Sequence, residues 1–409
     1  DQLNDEAVIT LARGRFEYQG RRNNDPASVS SETIRKIVLA PHGVLDIDAA
    51  GVTGSTNAGV LNLADLTAGI DRGSSGRGTM LVNVGGGGNP TNDVIVANGY
   101  PTDVLLPWIE TSRAEFMRLN GTTKALETIA SLPAPEDLTT WAEDESYRVG
   151  QGTNAFTATG ALGDLSIQSL GLYANSDVNL TINSGSTLNI ASGALGFQPV
   201  QGTRVARISG GSLTTESSEL YLHSGDSSAA HVLIIDSAIV GSGMDLIKAG
   251  IGEVRFTGTV ANTYSGTTYV NNGHLALTKS GVVAVPGNLV IERGGSVGLN
   301  GSASQIPSTS TVTVKEDGSF STSASYSHGS MLTLNGGTYM IVNCAPSVSV
   351  SGEGFAFNGG RVQYTSSSAN SFSLQTDVGY SSNSTRQARW LNTSTGNFTV
   401  ELDGTNRTF

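Results

Sequence analysis

Asp46 and Asp48 stand two residues apart, so in an extended segment both carboxylates project from one face, an arrangement able to hold a cation. Two further pairs carry charge suited to chemistry, Arg204 with Arg207 and Glu292 with Arg293. A polysaccharide lyase needs carboxylates beside a Lys or Arg base, and a glycosidase needs two carboxylates roughly 5–10 Å apart across a groove. The spacing in this chain meets neither requirement. No carboxylate recurs at a regular interval, Arg204 and Arg207 are expected to flank a turn, and the adjacent Glu292 and Arg293 to point to opposite faces. The plainer reading of Asp46 and Asp48 is a solvated pair on an outer face. The five histidines, His42, His223, His231, His274 and His328, show no metal-ligand spacing. The glycine run at 85–88 lacks the Gly-Lys-Ser/Thr ending and the following helix of a phosphate loop, and reads as a corner. Trp108, Trp141 and Tyr147 are the natural surfaces for stacking a sugar ring, with packing against a protein wall as the alternative. Cys344 is the single cysteine, which excludes an internal disulfide and leaves a small buried hydrophobe or an intermolecular link. We therefore expect no enzyme, with no catalytic residue, no resident metal and no cofactor beyond a weakly held surface Ca2+.

Short strands must position these residues. A Gly followed by alternating apolar positions opens Gly43-Val-Leu-Asp-Ile, Gly59-Val-Leu-Asn-Leu, Gly78-Thr-Met-Leu-Val-Asn-Val, Gly185-Ser-Thr-Leu-Asn-Ile and Gly211-Ser-Leu-Thr. It returns at Gly295, Gly318, Gly337 and Gly360; counted from Gly273, the intervals are 22, 23, 19 and 23 residues. Alternation is the period of a strand with one face buried, and roughly 20 residues make one coil of a three-stranded parallel β-helix. No run is long enough to bury a core alone, so the units must stack on one another. Composition agrees: 52 of 409 residues are Gly and charged residues are 14%, too few for an ordinary globular surface and, with this patterning, fit for a coil of strands and turns.

Residues 246–277, LIKAGIGEVRFTGTVANTYSGTTYVNNGHLAL, hold the densest pattern. Lys248, Gly250, Gly252, Val254, Phe256 and Gly258 form a first run, Asn262, Tyr264, Gly266, Thr268 and Val270 a second, and Gly273, Leu275 and Leu277 a third. This segment closely resembles the autotransporter-associated β-strand repeat, over about thirty residues with hardly a gap. The resemblance implies a right-handed parallel β-helix exported to a bacterial surface, and it implies no chemistry.

The expected organisation is β-solenoid over 1–100, with the first thirty residues a cap or a preceding coil, then a partly helical lateral excursion over 101–147, then solenoid over 148–409. Residues 111–120 and 123–131 show apolar positions three or four apart with Thr or Ser available as caps, hence the helical expectation. The segment Leu106-Pro107-Trp108 with Phe116 is similar to one that large members of the same family carry between solenoid stretches. The last residues stop in mid-alternation without a polar cap, which reads as a cut end. A net charge of −12 disfavours nucleic acid, and no run reaches the roughly 18 apolar residues of a membrane span. The expected function is structural or adhesive: a rigid extracellular rod of a bacterial surface protein, a stalk or a fibre subunit, whose partners are itself, end to end or laterally, or cell-surface glycans and proteins. The competing class is a carbohydrate-active enzyme or glycan-binding spike.

Overall fold

The computed structural model describes residues 3–19, 29–48, 58–65, 67–84, 94–150, 155–200, 204–225, 231–300, 305–323, 327–328, 331–342, 347–350, 355–365, 370–374, 378–380, 388–392 and 398–401. It is a parallel β-solenoid, folded as two coiled stacks.

The first stack uses three faces in strict rotation. Strands β1 (Val8–Leu11), β4 (Lys36–Leu39) and β7 (Ile70–Asp71) form one face. The second holds β2 (Arg15–Gln19), β5 (His42–Asp48) and β8 (Thr79–Val84), and the third β3 (Val29–Ile34), β6 (Ala58–Leu63) and β9 (Val94–Val96). All these pairings are parallel, so each main-chain group bonds to the coil above or below. Ile37, Leu45, Leu61, Val82 and Ile95 fill the interior and are at most 1% exposed.

The stack closes where helices were expected. Strand β10 (Leu105–Thr111) adds in parallel to β8, and β11 (Phe116–Leu119) and β12 (Leu126–Thr128) follow as antiparallel strands. The helical spacing at 111–120 and 123–131 loses to turn chemistry: Thr111 Oγ1 accepts from the N–H groups of Arg113 and Glu115, and Asn120 Oδ1 from those of Thr122 and Thr123. Ala114 and Lys124 take positive φ at these turns. A 3-10 turn forms at Leu138–Thr140, capped by Asp137, and no α-helix forms among the described residues. So 105–128 finishes the first stack, and Leu132–Pro133 and Ser146–Val149 begin the second.

In the second stack two ladders alternate along the chain. One joins Glu219–Ser224, Asp245–Ala249, Thr268–Val270, Leu289–Ile291, Val312–Lys315, Leu332–Asn335 and Phe355–Phe357. The other joins His231–Ile235, Glu253–Phe256, Gly273–Leu277, Gly295–Leu299, Ser319–Thr322, Thr338–Val342 and Gly360–Thr365. The glycine intervals read from the sequence are the coil lengths of this second ladder. A third face is built from short segments; Leu165, Leu188, Leu213 and Ile239 stack on it in register.

Register turns alternation into columns. Leu233, Val254, Leu275, Val297, Phe320 and Tyr339 stack inward, as do Leu246, Thr268, Leu289, Val312, Leu332 and Phe355, and all twelve are at most 1% exposed. Each large apolar side chain so buried contributes roughly 1.5–3 kcal/mol.

The two stacks lie side by side and run in opposite directions. The turn between β10 and β11 reaches the second stack at Gly171, Glu110 reaches it at Gly196, and Arg72 and Arg77 at Glu219 and Asp245. Arg77 and Thr79 meet Asn271, and Arg13, in the first coil, meets Gly294. Sequence alternation defines each coil but carries no sign of this fold-back.

Val254 sits at the centre of an inward column, so Val254→Asp places an unpaired carboxylate there. We expect a loss of about 4 kcal/mol or more, read as a lowered denaturation midpoint together with new protease cleavage in 246–277.

Candidate functional site

Two groups of residues combine burial with chemistry: the corner polar groups of the second stack, and the seam between the stacks.

At the corners, the positions that carry the repeat resemblance have identifiable tasks. Lys248 is fully buried on an inward position, aligned with Leu222 and Val270. Its Nζ donates to the carbonyls of Gly250 at 2.6 Å, Asn272 at 2.8 Å and Ala249 at 3.1 Å, which uses all three N–H bonds of an ammonium. Burial pulls its pKa down to about 7, against the partial compensation of Glu110 and Glu253. Gly250 and Gly273 take positive φ around it, and a Cβ on Gly273 would lie 2.5 Å from Lys248 Nζ. Asn262 ties three coils together: its Oδ1 accepts from Ile239 N at 3.0 Å and its Nδ2 donates to Ala284 O at 2.7 Å. Tyr264 and Thr268, both buried, share a hydroxyl hydrogen bond of 2.6 Å. Two coils later Gln305 makes a related link to the coil before it, accepting from Lys279 N at 2.7 Å and donating to Leu277 O at 2.9 Å. Lys279 Nζ donates to Val260 O at 2.9 Å.

The seam is polar at its centre. Arg72 binds Glu219 at 3.1 Å and the Tyr221 hydroxyl, and its guanidinium lies over the Trp108 ring at 5.6 Å. Arg77 bridges Glu219 at 2.8 Å and Asp245 at 2.7 Å, and Asn271 Nδ2 donates to its carbonyl at 2.7 Å. Tyr221 and Ile247, outward-facing in the second stack, join the apolar cluster of the first. Glu110 points out of β10 against Gly196, where any Cβ would overlap its Oε1; Gly171 likewise leaves room for the Ala114 carbonyl. Burial pushes the Glu110 carboxyl well above the usual range and lowers His223 to about 4. The Pro107 carbonyl, 2.9 Å from His223 Nε2, can only accept, so Nε2 carries the proton of the neutral ring. His223 Nδ1 is then an acceptor facing Glu110 Oε2 at 3.4 Å, which a protonated Glu110 suits. Pro107 itself sits where the β10–β11 register shifts, a place for a strand residue with no N–H. His42 is buried nearby, lowered to about 3 by burial and then by His223, Lys248 and Arg13, with its Nδ1 2.9 Å from Thr79 Oγ1.

The residues singled out from sequence fall elsewhere. Asp46 and Asp48 lie on β5, and their side chains, the glycine run at 85–88 and Cys344 lie outside the described residues. Arg204 and Arg207 do not flank a turn; both belong to the strand Arg204–Thr214, where Arg207 pairs with Asp236. Glu292 and Arg293 follow the strand Leu289–Ile291 in a corner, so the opposite-faces argument does not apply to them. Glu292 binds Lys315 at 2.6 Å and Arg293 binds Glu316 at 2.6 Å, and all four line a 460 Å³ groove shared with Val38–Pro41 and Gly73–Ser75 of the first stack. Trp108, Trp141 and Tyr147 are 3%, 6% and 3% exposed, which leaves no ring face for a sugar. Trp108 packs on Tyr100, and Trp141 stacks on Tyr147 with centroids 4.5 Å apart while donating from Nε1 to Pro135 O. Among the described residues no three His, Cys, Asp or Glu side chains gather as a metal site. The sequence reading missed Arg72, Arg77, Glu110 and Tyr221. Its available signal was Glu110 inside the apolar run Leu105–Thr111 and the side-chain-free positions Gly171 and Gly196, which are in register on one strand face.

No family model, curated protein or solved structure matches the chain.

Lys248→Met keeps the apolar stem and strands three carbonyls. We expect a loss of about 2–4 kcal/mol in chemical denaturation, larger than a Leu-to-Met exchange in the same column. The seam should also respond to pH. His42 and His223 titrate lower in the fold than the free value of 6.5, so their contribution is complete above that pH and is lost as pH falls toward about 3 and about 4 respectively. Glu110 has the opposite sign: its contribution is complete below 4.5 and is lost as rising pH passes its raised folded value. Hydrogen exchange of 105–119 and 219–224 should therefore show protection that falls steeply on acidification from pH 7 to pH 4.

Proposed function

We propose that this chain is a non-enzymatic scaffold, a rigid rod segment of a large exported bacterial surface protein related to autotransporter passengers. The observation that carries the reading is the use made of its buried ionisable groups. Lys248 and Lys279 cap main-chain carbonyls, Glu110 and His223 close the seam, and Arg148 holds Glu115 at 2.8 Å. The charged corner beside the shared groove is likewise paired within itself. Active sites strain or isolate such groups to tune them for reaction; here each has a structural task.

The doubled architecture supports a mechanical role. Two solenoids bonded along their length resist bending and twisting more than either alone, because bending one requires the other to slide against Arg72, Arg77 and Glu110. The repeat resemblance at 246–277 supports the surface location, since the positions that carry it serve corners and core rather than chemistry. Whether rods act singly as stalks or join into fibres is a matter of assembly between copies.

Two measurements test the proposal. Antibodies raised against the chain should label intact, unpermeabilised cells of its source, and the purified chain should release neither reducing ends nor unsaturated sugars from a polysaccharide panel. Labelling only after permeabilisation, or steady product release, would contradict it.

A further inference from the structure

A second groove, of about 750 Å³, runs along one corner of the second stack and away from the seam. Four successive coils contribute to it: Ser184 and Gly185 from the first, Arg207 and Gly210 to Ser212 from the second, Asp236 to Ala238 from the third, and Thr257 to Val260 from the fourth. At roughly 4.8 Å per coil its length is about 14 Å along the axis, within the volume range of known ligand sites but open at its sides. We infer that this groove binds a neutral polysaccharide, lying along the stack.

Three observations point to that ligand class. First, the groove holds unspent hydroxyls. Ser237 is 2% exposed and its Oγ has no hydrogen-bond partner within the protein, and neither has Thr257 Oγ1. Buried hydroxyls in a folded protein are nearly always bonded, so two unpartnered ones on adjacent coils lining one groove suggest side chains that rotate to meet an outside partner with hydroxyls of its own. Second, the charge is balanced locally. Arg207 is bound to Asp236, with their side chains 39% and 20% exposed, so the pair presents donors and an acceptor without net charge. With the chain at −12, a polyanion is repelled while a neutral polyol is not. Third, the rim is bare. Gly210 and Gly258 take positive φ there, which turns the corner without a side chain, and Val260, 59% exposed, offers an apolar edge for the C–H face of a sugar. The groove goes beyond the scaffold reading, because a rod without it would be equally stiff.

The test is native affinity electrophoresis of the whole chain in gels containing β-glucan, xylan, galactomannan or dextran, with polygalacturonate as the acidic comparison. At least one neutral polymer should retard the chain. Thr257→Val, which keeps shape and removes the hydroxyl, and Arg207→Ala should each weaken retardation about tenfold, the loss expected of one or two hydrogen bonds. Ser184→Trp, at an exposed position, should fill the groove and abolish retardation with an unchanged melting temperature; Val260→Trp serves the same purpose should Ser184→Trp misfold. No retardation by any neutral polymer, retardation that survives the groove-filling variant, or retardation by polygalacturonate alone would overturn the inference.

Discussion

Everything in this molecule depends on one constraint: main-chain hydrogen bonds between successive coils fix the rise of each stack. Once the rise is fixed, an inward residue has an inward neighbour directly above and below, and a column is only as sound as its worst member. Apolar side chains satisfy that requirement along the faces. At the corners the chain turns and its carbonyls leave the ladder, so the interior must supply donors. Lys248, Asn262 and Gln305 supply them, which is why polar residues stand at full burial in an otherwise apolar interior. A buried cation would ordinarily destabilise a core; here three carbonyls surround it in the geometry its protons require.

The same constraint makes a double stack workable. Two solenoids with the same rise can lie side by side with contacts repeated from coil to coil, whichever way each chain runs. The contacts are of unlike kinds: Arg72 and Arg77 against Glu219 and Asp245, Glu110 against the bare Gly196, Tyr221 and Ile247 against apolar side chains of the first stack. Unlike contacts at successive coils fix the axial register between the stacks, since a slip by one coil would bring Glu110 onto His223 in one direction and the Ala114 turn from Gly171 onto Arg148 in the other.

The fold class was legible because alternation and glycine punctuation are local. The run from Gly273 to Gly360 even yields the coil lengths, and the resemblance at 246–277 marks residues whose corner and core tasks the structure explains one by one. What lay outside the reach of sequence was non-local. The apolar spacing around Phe116 and Leu126 looks helical until β10, itself added to β8, offers an edge to pair with and Thr111 and Asn120 take the turn donors. Glu110 reads as an interruption in an apolar strand, and only the opposite stack shows it facing Gly196. Trp108 looked like a sugar platform for the same reason: its cover comes from Arg72 and Tyr100, on other coils.

The central claim is that the first stack folds back along the second instead of extending its axis. The direct measurement is the distance between spin labels at Ser74 and Glu316, which line one groove from opposite stacks, placed in a Cys344→Ser background and read by pulsed electron resonance. A single short and narrow distance distribution is the predicted result. A long or broad distribution, as from stacks joined end to end or swinging freely, would contradict the account.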